Sequence, residues 1–259
     1  MNYNFHTHTY RCRHASGTEE EYVLRAIEGG IRYMGFSDHA PLQFADGHES
    51  TFRVPVGQLQ DYFDTIGALR DKYRDQIDIR IGFEMEYYPT MFEDMLRFVK
   101  DWGAEYLIMG EHFCRPEHPD PIVHNQNDHS DTESLENYVS TVIEGMKTGV
   151  FTYIAHPDLF RFSGDQALYD EHMRRLCRAA VTYNTPLEIN FLGIRETRYY
   201  PHDEFWVIAG QEKSPVTFGC DAHSAVSACD PESAAKAMAM VERFGLNYIG
   251  KPELRLLAK

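Results

Sequence analysis

Histidine and carboxylate side chains recur at the ends of short apolar runs along the whole chain. In order these are NF-HTHTYRCRH with His6, His8 and His14, MGF-SDH with Asp38 and His39, IGF-E with Glu84, LIMGE-H with His112, YIA-H with His156, LEI-N with Asn190, and TFGC-DAH with Asp221 and His223. Seven of the 13 histidines fall in these places. Imidazole nitrogen and carboxylate oxygen are ligands for borderline divalent metals. Parallel strands that each end in such a group aim them at one place, so the pattern predicts a multinuclear metal site. Histidines scattered at random over surface and core would not follow separate apolar runs in this way.

Within the pattern, His6 and His8 are spaced i, i+2, which on a strand puts both imidazoles on one face. Glu84 and Glu86 share a face too, and Glu84 is the expected ligand because it directly follows the apolar run. Asp38 is expected to orient a histidine rather than bind metal. Cys12 and Cys220 lie beside candidate ligands but are expected to be spectator thiols. His48, His118, His124, His129, His172 and His202 fall in loops or on helical patterns and are read as surface residues. Of these, His118, His124 and His129 sit on a long loop that could overhang the site.

Positioning such a ring requires a particular scaffold. Apolar strands are expected at about Tyr3–Phe5, Tyr33–Phe36, Ile77–Phe83, Tyr106–Met109, Thr152–Ala155, Pro186–Ile189 and Pro215–Gly219. Helical patterns lie between them. Thr18 with Glu21 and Thr90 with Glu93 read as capping boxes, Gly29-Gly30 as a helix stop, and Asp230-Pro231-Glu232 as a helix start. Leu59, Tyr62, Phe63, Ile66 and Leu69 recur at helical spacing. Seven strands alternating with helices imply βαβ crossovers and a parallel sheet. An open sheet would place a site at one switch point, whereas a barrel gathers every strand end around one mouth. The expected fold is therefore α/β, a distorted seven-stranded (β/α) barrel forming one domain over residues 1–259. Two long connections, residues 40–54 and 114–131, are expected on the mouth face, where loops carry substrate contacts.

The 259-residue chain is 43% hydrophobic, enough for a sizeable core. A formal charge of −15 excludes a broad nucleic-acid surface but not a small anionic substrate. No apolar stretch is long enough to span a bilayer, and the N-terminal residues read as strand and ligands rather than as a leader. A cytoplasmic setting without membrane or nucleic-acid partners is expected; oligomeric state is left open. The five cysteines are odd in number and form no CxxC pair, so no disulfide framework is predicted.

The segments HTHTYRCRH, GFSDHAP, IGFEMEYYP, YLIMGEHF, YIAHPDLF, LEINFLGIR and GCDAHS occur in the order found in the PHP (polymerase and histidinol phosphatase) family, which the chain resembles over essentially its full length. Within that family GFEMEYYP, HPDLF and EINFLGIR are most similar to histidinol-phosphate phosphatases. The resemblance implies a distorted (β/α)7 TIM-like barrel, the PHP fold, with three divalent ions, zinc, manganese or iron. It assigns His6, His8, Glu84 and Asp221 to one metal. His14, His39 and His223 would hold a second, and Glu84, His112 and His156 a third, with Glu84 as a bridge. One departure is Glu111, where many relatives have a different residue; it is expected to point away from His112.

That centre would hydrolyse a small phosphate monoester, with L-histidinol phosphate as the expected substrate in histidine biosynthesis. A hydroxide from a metal-bridging water would attack phosphorus. His39 and Asp221 are the candidates for catalytic proton transfer to the leaving alcohol. Arg161 and Arg195, just beyond strand ends, are the expected phosphate-binding residues because a guanidinium fork matches phosphate oxygens; Arg198 is the weaker candidate. The competing readings are another small phosphate monoester or phosphotyrosine as substrate, amide or ring hydrolysis, and a non-catalytic metal-binding module.

Overall fold

The alternation of apolar runs with amphipathic segments produces a curled parallel sheet wrapped by helices. The computed structural model describes residues 1–258. Its strands are β1 (Tyr3–Asn4), β2 (Tyr33–His39), β3 (Asp78–Met85), β4 (Tyr106–Met109), β5 (Asp128–His129), β6 (Phe151–Ile154), β7 (Arg161–Phe162), β8 (Leu187–Asn190), β9 (Pro215–Gly219) and β10 (Asn247–Tyr248). Helices are α1 (Glu19–Glu28), α2 (Leu59–Tyr73), α3 (Phe92–Trp102), α4 (Thr132–Thr148), α5 (Gln166–Thr182), α6 (Phe191–Glu196), α7 (Asp203–Glu212) and α8 (Pro231–Phe244). The main sheet runs β1-β2-β3-β4-β6-β8-β9-β10, every pair parallel, while β5 and β7 form a separate small ribbon.

This is the distorted (β/α)7 barrel, with an added eighth strand. The short β10 pairs with the start of β9, Asn247 opposite Pro215, and β1 and β9 share no ladder at the bottom. Toward the mouth the two come together. Thr7 and Ala222 form a parallel bridge, with His8 N donating to the Ala222 carbonyl at 3.0 Å and Ala222 N to the His6 carbonyl at 3.2 Å.

Alternation along the strands separates two cores. Tyr3, Phe5, Tyr106, Ile108, Tyr153 and Ala155 face inward and fill the barrel floor. Leu107 and Met109, between and beyond the inward residues of β4, join the larger core under the helices. Gly35 lines the floor without a side chain: a Cβ there would stand 2.1 Å from the Tyr106 hydroxyl oxygen. That hydroxyl donates to the Phe5 carbonyl at 2.9 Å.

Thr18 and Glu21 form the expected capping box on α1. The box expected from Thr90 does not form. The helix starts at Phe92 without a side-chain cap, because the Tyr88 carbonyl already accepts from the Met91 and Phe92 amides at 2.9 and 2.8 Å. The ribbon, α6 and β10 are additions to the expected element list, and β2 and β3 run past their expected ends to His39 and Met85.

Candidate metal centre

The register of the sheet builds the centre. Along β2 and β3 the pairing ends with His39 opposite Glu84, so the two side chains enter the mouth abreast. His39 Nδ1 lies 3.1 Å from Glu84 Oε2. From the extension of β1, His6 Nε2 and His8 Nε2 approach the same oxygen at 3.4 and 3.6 Å. The Glu84 Oε1 atom faces the other way, with His156 Nε2 at 2.9 Å and His112 Nε2 at 3.5 Å. Gly110 permits this pose, since a Cβ on it would meet Glu84 Oε1 at 1.9 Å.

Beyond β9 the chain turns sharply, and Asp221 adopts a φ of 45°. Its Oδ1 atom lies 3.5 Å from His6 Nε2, 3.2 Å from His8 Nε2 and 3.2 Å from His223 Nδ1. His156, just past β6, also has a positive φ, 32°. Two non-glycine residues in this region at one mouth mark locally strained backbone held by its surroundings. The rings of His14 and His223 stack at 4.9 Å, and His14 lies 5.2 Å from His39. All nine residues proposed as ligands therefore meet at one end of the barrel, and the three groups named above are contiguous around Glu84.

Several of the atoms facing inward are buried without a hydrogen-bond partner: His6 Nε2, His8 Nε2, His39 Nδ1, Glu84 Oε2 and Asp221 Oδ1. Leaving such atoms unpaired in a fold is costly, on the order of 1–3 kcal/mol each. Here they converge, and imidazole with carboxylate is a donor set that suits zinc, manganese or iron. Triads such as His6, His8 and Asp221, or His6, Glu84 and His156, bring one donor atom from each residue within 4.8 Å of the others. The residues present fit divalent metals.

Local charge follows the same grouping. Burial opposes a charge on His6, but Glu188, Asp221 and Glu84 outweigh it and hold its pKa well above the usual value. Against the same burial, Asp221 and Asp38 lift His8 to about 9. His39 goes the other way: burial, then the neighbouring His8, hold it well below the usual value. Burial with His223 and His8 pushes His14 down to about 4. Burial works to neutralise Glu84, yet His112, His6 and His39 keep it ionised far below the usual range. Asp221 is likewise depressed by His6, His223 and His8 in spite of burial.

The groups behind the donors are as ordered as the donors. Glu86 accepts from His112 at Nδ1, 2.9 Å away, and its other oxygen takes Arg53 at 2.6 Å. Arg53 also reaches Glu117 at 2.6 Å, which ties the 40–54 and 114–131 loops together. Asp38 accepts from the Thr9 and His39 amides at 3.0 and 2.8 Å and lies 3.4 Å from His8 Nδ1. Glu111 points away from His112 and accepts from the Tyr87 amide at 3.0 Å. Cys12 donates to the Thr9 carbonyl at 3.1 Å, and burial raises its thiol pKa, so it rests protonated although it lies beside His14 and His223.

Glu188 is a functional candidate that the sequence reading passed over. It is fully buried, its Oε1 lies 2.8 Å from His6 Nδ1, and its Oε2 accepts from the His156 amide at 3.1 Å and from Asn190 Nδ2 at 2.8 Å. Asn190 also donates to Asp221 Oδ2 at 3.0 Å. The signal was present: Glu188 and Asn190 are two apart on one strand and share a face.

The donors open onto a cavity of about 240 Å³ whose remaining wall is Phe52, Gln126, Leu192, Glu196, Arg198 and Tyr200. Phe52 packs on His39 with ring centroids 3.9 Å apart. Neither expected phosphate arginine lines this cavity. Arg161 is half exposed on β7, 3.9 Å from Asp128. Arg195 donates to the Asp221 carbonyl at 3.0 Å, pairs with Asp230 at 3.1 Å, and lines an adjacent cavity with Ser224 and Lys236. Arg198, the weaker candidate, is the arginine that faces the donors. His118, His124 and His129 do not line the cavity either; His118 Nε2 pairs with Asp46 at 2.7 Å instead.

A parallel barrel with imidazoles and carboxylates converging at its mouth defines a class of metal-site scaffold. A family model for the PHP domain matches residues 4–191, and the chain belongs to that family. Among curated relatives, a probable histidinol-phosphatase of Deinococcus radiodurans is 25% identical over 226 residues, 84% of this chain and 85% of the relative. A histidinol-phosphatase of Bacillus subtilis is 28% identical over 250 residues, covering 85% of this chain and 92% of the relative. Among solved structures, the histidinol phosphate phosphatase of Lactococcus lactis, complexed with zinc, L-histidinol and phosphate, shares the fold. The TM-score is 0.69 at 20% identity, over 95% of both chains.

Proposed function

We propose that the chain is a metal-dependent phosphoric monoester hydrolase that converts L-histidinol phosphate to L-histidinol and phosphate. The observation that carries this reading is the set of buried, unpartnered imidazole and carboxylate atoms converging beside a cavity that also presents Arg198. The histidinol-phosphatase relatives support the choice of substrate. The whole chain acts as one catalytic domain, and its place of action is the cytoplasm; no helix among the described residues is long and apolar enough to cross a membrane.

Three metal positions are proposed: His6, His8, Glu84 and Asp221; His14, His39 and His223; and Glu84, His112 and His156. Divalent ions bound there supply Lewis acidity toward water and the phosphate oxygens. Glu84 would serve two positions, since its two oxygens face different imidazoles. Glu188 and Glu86 hold the far nitrogens of His6 and His112, so each ring presents Nε2 inward. Arg198 binds phosphate oxygens at the cavity wall. Phe52 excludes water from above His39. His39 and Asp221, both also proposed ligands, are the candidates for passing a proton to the departing alkoxide.

The test is phosphate release by protein of measured metal content, comparing L-histidinol phosphate with phosphotyrosine, nucleoside monophosphates and sugar phosphates. We expect kcat/KM for L-histidinol phosphate of about 10⁴ M⁻¹s⁻¹ or more, well above the others. Fully metallated protein that releases no phosphate from any ester removes the reading. A preference for phosphotyrosine would move it to the alternative substrate.

A further inference from the structure

Apart from the histidines, Glu84 and Asp221, the cavity wall carries two charged side chains, Glu196 and Arg198. They leave the end of α6 on either side of Thr197, which turns the chain with a φ of 52°. Arg198 approaches Glu196 at a single oxygen: Nε donates to Oε2 at 2.8 Å, and its terminal nitrogen stands 2.6 Å from the same atom. Its other terminal nitrogen donates to the Tyr200 hydroxyl at 3.2 Å. Glu196 Oε1 takes no hydrogen bond among the described residues, and the side chain is 52% exposed.

A carboxylate on this wall is a liability for a site that must accept a phosphate dianion. It repels the phosphate and competes for Arg198. The same carboxylate is an asset when the ester also carries a positive charge. We propose that Glu196 selects phosphate monoesters whose alcohol bears an ammonium group a few bonds from the phosphate. Arg198 takes the phosphate and Glu196 Oε1 the ammonium, so the wall matches a zwitterionic substrate. This inference rests on the phosphatase reading and sharpens it. L-Histidinol phosphate has such an amine on the carbon next to the phosphate-bearing one, whereas phenyl and sugar phosphates have none.

The experiment measures kcat/KM at pH 7.5 on metallated protein for L-histidinol phosphate and for its N-acetyl derivative, which keeps the imidazole and the phosphate but loses the ammonium charge. The parent protein is expected to prefer the free amine about two- to fivefold, the range for a partly exposed ion pair. In Glu196→Gln most of that ratio disappears, chiefly through KM for the amine. The same ratio in both proteins overturns the inference. So does an equal improvement of both substrates by Glu196→Gln, which would reduce Glu196 to a counter-ion for Arg198. A parent protein that hydrolyses both esters equally defeats this inference alone. One that hydrolyses neither, with metal bound, defeats the phosphatase reading and this inference with it.

Discussion

The floor and the mouth of the barrel are built by the same strands, a few residues apart, and most of the mouth is as buried as the floor. The path of β1 supplies Tyr3 to the floor and then His6 to the mouth; β4 supplies Tyr106 and then His112; β6 supplies Tyr153 and then His156. On the floor, rings interlock, and the Tyr3 and Tyr106 hydroxyls are satisfied by Thr217 and the Phe5 carbonyl at 2.9 Å each. At the mouth, polar atoms are buried and left facing one another. Burial alone therefore does not separate a structural core from a site. The Tyr153 hydroxyl on the floor has no partner either; what separates the two regions is that at the mouth the unpartnered imidazole nitrogens and carboxylate oxygens converge on one another.

The largest way to break this comparison is Glu84→Ala. It removes the carboxylate facing both groups of imidazoles, so elemental analysis should find metal missing and turnover should fall by about 10³ or more. Full stoichiometry in this variant would end the bridging role. Tyr106→Ala tests the floor from the other side. It should cost about 3–5 kcal/mol in denaturant unfolding while the folded fraction keeps its metal content. Loss of metal from folded Tyr106→Ala protein would mean that the two regions are not separable.

Glu188→Gln sharpens the boundary between them. Gln keeps an acceptor for His6 Nδ1 but not the charge, and metal affinity should weaken roughly 10- to 100-fold with little change in the unfolding midpoint of the metal-free protein. Unchanged affinity by competition with a chelator would return Glu188 to a purely structural role. The smallest effects concern the wall. Arg198→Ala should raise KM for the phosphate ester about tenfold with metal retained. Arg195→Ala should do less, acting through the position of Asp221, and Arg161→Ala least. A larger loss from Arg195→Ala than from Arg198→Ala would restore Arg195 as the phosphate ligand.

Much of this arrangement could be read before any fold was known, for a physical reason. A parallel strand ends where its ligand begins, so the break from apolar run to His, Asp or Glu marks both the element and the site. Thr18 and Asp230 marked helix starts in the same local way. What escaped was decided at a distance. Glu188 lies inside the LEIN run and reads as strand interior until Gly219, across the ladder, leaves room for its carboxylate; a Cβ there would stand 1.7 Å from Glu188 Oε1. Arg198 owes its place to the turn after α6, and Arg195 its diversion to Asp230 on a different helix. The two-residue β5, β7 and β10 carry too little pattern to be seen without their partners.

The bridge between Thr7 and Ala222 has a consequence for how the molecule comes into being. Three of the nine donor residues lie within the first 14 positions and the others are spread as far as His223, and contacts between the two ends of the chain join residues as far apart as Tyr3 and Tyr248, 245 positions. Contacts of such separation form late and slowly, because a long loop must close before they contribute anything. No fragment lacking either end can complete the ring of donors. A nascent chain must therefore emerge as far as His223 before its site is complete, and ions bound across the seam would afterwards act as a clasp against its reopening.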